Sequence, residues 1–211
     1  IIDHHGTNKR YITKAKIEHI DPSKSSVVEI MVSYLKDLNY KPDSLISTIM
    51  LAGMEIDTNN FNTKTTAETY EAAAFLARNK ANQILKRKIL KESREAYLKR
   101  NELIKKSFMI TKDVAICVLD NKVYYRNELA EISEDLLTLD KIEAAFTIGR
   151  TETNEVSISA RSLGNVDVKK IMQALGGGGH KNEAAAQITG TTLEEIKQKL
   201  IELIKRWKIC K

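Results

Sequence analysis

From residue 66 to residue 107 the chain reads as helix almost without a breaker: "TAETYEAAAFLARNKANQILKRKILKESREAYLKRNELIKKS" is rich in Ala, Leu, Glu, Lys and Arg, with Asn79 near a joint. Residues of these types lose little side-chain freedom in a helix. A segment this long and this polar does not form one core by itself. Two or three helices linking two domains account for it, and the organisation of the rest follows.

On the N-terminal side, "IIDHH" reads as a strand end running into a loop. After Asp21, Pro22 and Ser23, apolar residues recur at helical spacing (Val27, Val28, Ile30, Met31, Tyr34, Leu35, Leu38), with Asp21 or Ser23 suited to cap the helix. A second helix follows Pro42, from about Asp43 to Ala52. Strand, helix and helix in this order suggest an α/β layer.

On the C-terminal side the period changes. "VAICVL" (114–119) and "KVYY" (122–125) read as strands around a hairpin turn at "DN". A helix is expected over 127–139, strands over 144–150 and 155–161, and a helix near 167–175. A short strand at 184–188 and a helix over 192–207 complete this half. The closing helix carries an apolar stripe of Leu193, Ile196, Leu200, Leu203, Ile204 and Trp207, read as core.

The bulk properties exclude several classes. Hydrophobic residues make up 42% and charged residues 29%, as in ordinary globular proteins. No apolar stretch approaches the roughly 18 residues that suggest a membrane span. The net charge of +6 favours phosphate-bearing partners only weakly, because the lysines of the helical segment alternate with acids as on a solvated face. Cys117 and Cys210 match no zinc spacing; Cys117 lies in an apolar run and reads as a small core residue in a reducing compartment.

Three short stretches carry chemistry. Asp3, His4 and His5 place two imidazoles and a carboxylate together, the donor types that suit manganese, zinc or iron. His19 lies outside that cluster and reads as structural. Asp57 in "AGMEIDTNNF" follows an apolar run and can reach the same crevice, or else cap a turn before Thr58. "SISARSLG" (157–164) and "GGGGH" (176–180) pair Arg161, whose guanidinium can fork onto a phosphate, with four successive glycines. One glycine would suffice to end a helix, whereas a run of four lets backbone amides approach an anion closely. A hinge is the plainer reading of the run. It is neither a P-loop nor a dinucleotide fingerprint, since no Lys-Ser/Thr follows and a helix, not a strand, precedes it.

In order and spacing, "DHH" at 3–5, Asp57 of "EIDTNNF", "SARS" at 159–162 and "GGGGH" at 176–180 resemble the DHH family of phosphoesterases, in the branch with a DHH-associated C-terminal domain. "GGGGHKNEAAAQI" and "ISARSLGNVDV" are most similar to its GdpP-type cyclic-di-AMP phosphodiesterases, while Gly6 stands where an arginine often follows the motif. The resemblance implies an α/β protein. Residues 1–80 would be the C-terminal part of a parallel-sheet catalytic domain, 81–107 a helical linker, and 108–211 a smaller mixed-sheet substrate-binding domain. It implies metal binding by His4 and Asp57, catalytic roles for His5 and Asp3 with Asp3 orienting His4, and substrate binding by Arg161, Ser162, Gly176, Gly177, Gly178, Gly179 and His180. Thr58 and Asn60 are lesser candidates. Two divalent ions, normally manganese, would activate water for hydrolysis of cyclic-di-AMP to pApA.

The family's earlier ligands, a histidine and further aspartates, have no counterpart in these residues. A chain opening mid-strand on Ile1 is therefore expected to be a fragment, incomplete as an enzyme by itself. Its parent would be cytoplasmic in this region and anchored, in GdpP-type proteins, through upstream membrane segments. A homodimer is compatible with this reading, and membrane contact within these residues is not expected. Two alternatives remain open: a nanoRNase or pAp phosphatase of the same family acting on short oligonucleotides, and a nucleotide-binding module without catalysis.

Overall fold

The structure, a computed structural model, describes residues 1–5 and 15–209. Gly6 and Cys210 lie outside the described residues. The chain divides into two compact units, Ile1–Glu92 and Ser93–Lys211.

In the N-terminal unit, β1 (Ile2–Asp3) pairs in parallel with β2 (His19–Ile20). Helices α1 (Val27–Asp37), α2 (Ser44–Asp57), α3 (Ala67–Arg78) and α4 (Gln83–Ile89) follow. Val32, Leu51, Met54, Ala72 and Leu76 form the core shared by α1, α2 and α3. The cap of α1 is Ser26, whose hydroxyl accepts from the amide of Glu29; Asp21 instead accepts from the amide and hydroxyl of Ser23, closing a separate turn. The helix thus starts later than Pro22 suggests, because Ser26 is the first side chain placed to meet an orphan amide. His19 is structural, its ring bonded to the Tyr34 hydroxyl.

A buried carboxylate ties this unit together. Glu29 is 5% exposed and accepts from the Ser25 amide and hydroxyl (3.2 and 2.6 Å) and the Thr69 hydroxyl (2.9 Å), with Lys24 Nζ at 3.2 Å. Burial alone would raise its pKa; hydrogen bonds from Ser25, Thr69 and Lys24 outweigh that and hold the carboxyl below the usual glutamate range. Its contribution to stability is therefore present above the unfolded value of about 4.3 and is lost as pH falls through the depressed folded value. Glu29→Ala should cost roughly 3 kcal/mol at pH 7, by stranding its donors. Urea midpoints at pH 7 and pH 3 check this: the deficit should shrink at the lower pH, and an equal deficit would refute the charge argument.

The C-terminal unit begins with α5 (Arg94–Ile104) and then β3 (Phe108–Thr111), β4 (Val114–Val123), α6 (Arg126–Leu137), β5 (Ala144–Glu152) and β6 (Glu155–Ser162). It ends with α7 (Val168–Gln173), β7 (Gly178–Gly179), β8 (Glu183–Thr189) and α8 (Leu193–Ile209). The six strands form one mixed sheet in the order β3-β4-β5-β6-β8-β7, with β4 and β5 parallel and the other pairs antiparallel. The expected hairpin at Asn121 is absent. Asp120 and Asn121 lie inside β4, where a register shift between Val118 and Val123 absorbs them, and the chain leaves β4 into α6 rather than turning back.

Strand alternation assigns each side chain to a layer. Val114 and Ile116 of β4, Phe146 and Ile148 of β5, and Val156, Ile158 and Ala160 of β6 face a core closed by Ile171 and Met172 of α7 and Leu193, Ile196, Leu200 and Ile204 of α8. Leu203 and Trp207 of the expected stripe pack at its margin. On the other face, Ala115, Cys117 and Leu119 of β4 and Ala145 of β5 meet Leu129, Ile132 and Leu136 of α6. Cys117 is the core residue expected: its thiol donates to the Leu103 carbonyl, and burial pushes its pKa up to about 11. On that second face β6 carries Ser157, Ser159 and Arg161, which are small or polar and line a pocket instead of a core.

Candidate functional site

The chemistry-bearing residues fall into two groups, one in each unit. In the N-terminal unit, α2 continues past its expected end at Ala52 and places Asp57 at its last residue. There it is neither an N-cap nor the start of a strand. Thr58 is fully buried; its hydroxyl donates to the Met54 carbonyl (2.7 Å) and accepts from the Phe61 amide (3.1 Å), which makes it a structural residue. Asn59, Asn60 and Phe61 then take positive φ in succession (46°, 54° and 64°) and turn the chain sharply away. Left-handed residues cost about 1–2 kcal/mol each outside glycine, and stacking of Phe61 on Tyr70 (5.6 Å between centroids, 16° between planes) helps to hold the turn.

This geometry leaves the Asp57 carboxylate beside His4, with Nε2 to Oδ2 at 3.7 Å. The His4 side chain is 8% exposed and that of His5 73%, so the neighbouring imidazoles occupy different surroundings, with ring centroids 4.3 Å apart. The expected link from Asp3 to His4 is replaced by one to His5: Oδ1 of Asp3 accepts from the His5 amide (3.0 Å) and lies 2.8 Å from His5 Nδ1. The reason is local. A carboxylate bends back most easily onto the backbone two residues ahead, as in an Asx turn, and the ring of that residue follows. The His5 amide and then its ring hold the Asp3 carboxyl below its usual range. An ionised Asp3 accepts from a proton on Nδ1, so that Nε2 is the other ring nitrogen of a largely exposed His5 side chain.

Whether this group suits a metal ion is a question of donors. His4 Nε2 and Asp57 Oδ2 are one imidazole and one carboxylate, and their 3.7 Å separation is within twice a ligand bond of roughly 2.1 Å, so both can hold one divalent ion. A carboxylate at a helix C-terminus also opposes the negative end of the helix dipole, which a cation relieves. Among the described residues, no group of three or more His, Cys, Asp or Glu is placed to hold a metal. The pair therefore fits as two ligands of an ion and does not close its coordination.

In the C-terminal unit a pocket of about 290 Å³ opens between α6 and the β6–β8–β7 end of the sheet. Its floor is small: Ser157 and Ser159 of β6, Ala185 of β8, and Gly178 and Gly179 of β7. Ser133 fastens α6 over β5 and β6, its hydroxyl lying 2.8 Å from Thr147 Oγ1 and 3.2 Å from the Ser159 carbonyl. Arg161 is on the wall, held by Glu134 (Nε to Oε2, 3.3 Å) and by its own neighbour's carbonyl at Ala160 (Nη1, 3.1 Å).

The glycine run serves several ends. Gly176 (φ +80°) follows α7 in the left-handed conformation that ends helices. Gly177 and Gly179 are pressed against β8, where side chains would collide with Ala186 and Ala184, whereas Gly178 has open space above it. Thus Gly178 and Gly179 reach the pocket, while Gly176 and Gly177 shape the approach to it. His180 is exposed, and its amide donates to the Glu183 carbonyl (2.6 Å) across the β7–β8 turn. The Ser162 hydroxyl accepts from the Gly164 amide (2.9 Å) in a turn; neither it nor His180 is on the pocket wall. Arg126, Glu134 and Gln187 belong to the surroundings of this pocket but carry no mark in the sequence, since only the packing of α6 on β6 and the register of β8 bring them there.

Comparison with known proteins agrees with this architecture. Residues 112–207 match the DHHA1 domain. The chain is 35% identical over 208 residues to the cyclic-di-AMP phosphodiesterase GdpP of Bacillus subtilis (strain 168), covering 95% of this chain and 31% of that protein. It is 37% identical over 210 residues to the cyclic-di-AMP phosphodiesterase GdpP of Geobacillus thermodenitrificans, covering 97% and 32%. The crystal structure of an exopolyphosphatase-related protein from Bacteroides fragilis shares the fold, with a TM-score of 0.80 at 20% identity over 99% of this chain and 64% of that one. The chain spans about a third of the length of these curated relatives.

Proposed function

We propose that this chain, whose residues 112–207 match the DHHA1 domain and which is similar to cyclic-di-AMP phosphodiesterases over most of its length, supplies part of the active centre of a phosphodiesterase that hydrolyses a cyclic dinucleotide, cyclic-di-AMP to pApA. The observation that carries this reading is the approach of His4 to Asp57, two donors from distant parts of the sequence, beside an Asp3–His5 pair. His4 and Asp57 would hold a divalent ion, manganese being the expected one. When bound, such an ion supplies Lewis acidity, neutralising phosphate charge and making water more acidic.

The chain's own residues would do the rest. Asp3 fixes the His5 tautomer, so Nε2 is the atom that faces substrate. Protonated, it gives its proton to the departing ribose oxygen; neutral, it accepts one from the attacking water. The bond from phosphorus to the ribose oxygen breaks, one from water to phosphorus forms, and a phosphomonoester is left. Arg161, held by Glu134 so that little side-chain freedom remains to be lost, would bind a phosphate of the substrate from the pocket wall. Gly178 and Gly179 would let the nucleotide lie against backbone.

The test is hydrolysis of cyclic-di-AMP, pApA and pAp with Mn²⁺, on these 211 residues and on a longer chain that contains them. Cyclic-di-AMP turned over ahead of the other two is the expected result. Preference for pApA or pAp would move the protein to the oligoribonuclease branch. Nucleotide binding with no turnover in either chain would make it a binding module.

A further inference from the structure

We infer that Gln187 selects the base of the bound nucleotide, and that the base it selects is adenine; the inference rests on the reading of the β6–β8–β7 pocket as a nucleotide site. Gln187 lines that pocket, is exposed, and has no side-chain hydrogen bond among the described residues. Two polar neighbours at its end of the pocket, Arg126 and Ser157, are committed. Arg126 donates to Glu155 (3.0 Å), and the Ser157 hydroxyl lies 2.6 Å from Thr151 Oγ1 and 3.2 Å from Glu155.

Register places Gln187 at one end of the floor. It pairs with Ser157, while Arg161 pairs with Glu183 at the other end. Residues 157 and 161 are separated by roughly 13 Å at 3.3 Å per residue. A nucleoside monophosphate lies naturally between two long side chains so spaced, its phosphate at Arg161 and its base at Gln187. Glu183, beside Arg161, is an acceptor and suits a sugar hydroxyl. Between the ends, Ser159, Ala185 and the two glycines present a shelf without bulk, on which a flat ring can rest.

The chemistry of the amide then chooses the base. A glutamine offers one donor and one acceptor side by side, which match adenine N7 and N6. On that same N7 edge guanine shows two acceptors, N7 and O6, and a single amide cannot satisfy both. A carboxylate at this position would reverse the preference, because it accepts twice and matches the guanine donors.

The probes are 5′-AMP and 5′-GMP, titrated calorimetrically into the 211-residue chain and into Gln187→Ala and Gln187→Glu. The native chain should bind AMP more tightly, by on the order of tenfold for one bidentate pair. Gln187→Ala should bind the two alike, and Gln187→Glu should prefer GMP. Equal binding of AMP and GMP by the native chain, or an AMP preference that survives in either variant, overturns the assignment of Gln187 alone. Failure of the native chain to bind either nucleotide overturns the pocket reading beneath it.

Discussion

Gly177→Ala should destroy the folded C-terminal unit, whereas Gly178→Ala, one residue on, should leave it intact. A methyl group on Gly177 would overlap the Ala185 carbonyl oxygen and lie 2.6 Å from both Cα and Cβ of Ala186; on Gly178 it would meet nothing within 4 Å. The contrast has one cause. The backbone presses on β8 both at Gly177, just before β7, and at Gly179 within it, and neither side can retreat without breaking the pairs Gly178–Ala185 and Gly179–Ala184. Overlap with backbone rather than with a flexible side chain belongs among the exceptional substitutions, costing more than about 4 kcal/mol. Gly178→Ala should change stability by less than about 0.5 kcal/mol. It should still weaken AMP binding, because Gly178 is on the pocket floor. Thermal melts followed by near-ultraviolet circular dichroism, together with the same titrations, check both. A folded Gly177→Ala protein would show that the run serves flexibility rather than close packing.

Asp57→Asn should move two measurements in opposite directions. Mn²⁺ affinity should fall at least the 10–100-fold, in order of magnitude, that loss of a supporting group costs a metal site, since here a ligand itself is changed. Stability without metal should rise by about 0.3–1 kcal/mol, because an anion is removed from the negative end of α2, whose last turn contains no basic residue. General damage lowers both quantities, so the divergence identifies a ligand. Electron paramagnetic resonance titration of Mn²⁺ and urea unfolding in EDTA supply the two numbers. Unchanged affinity, or a loss of stability in EDTA, would remove Asp57 from the proposed metal pair.

Much of the architecture was legible along the chain because it is set by local periodicity. The alternation in "EVSISARS" defines β6 and its two faces, and the stripe of α8 is readable from Leu193 to Trp207. Errors occurred where the local signal was ambiguous. Asp120 and Asn121 have turn chemistry, yet the strand passes through them as an irregularity because β5 extends alongside and Tyr124 donates to the Arg150 carbonyl (2.8 Å). α2 outlasted its expected end because Met54 is fully buried in the unit's core, so packing favours the continued helix. The two-residue β7 has no side chains by which to announce itself.

The site divides in the same way. The sequence by itself determined which chemistries are available: two imidazoles beside a carboxylate, a further aspartate after an apolar run, an arginine on a strand, and glycines where backbone must come close. These are properties of residue type and short spacing. Only the tertiary structure decided which of them act together. It set Asp57 against His4 and Asp3 against His5, held Arg161 with Glu134, left Ser162 and His180 off the pocket wall, and brought Gln187 onto its floor. Those pairings depend on where α2 stops, how α6 crosses β6 and which residue of β8 opposes Ser157, and each is fixed by packing between elements far apart in the chain.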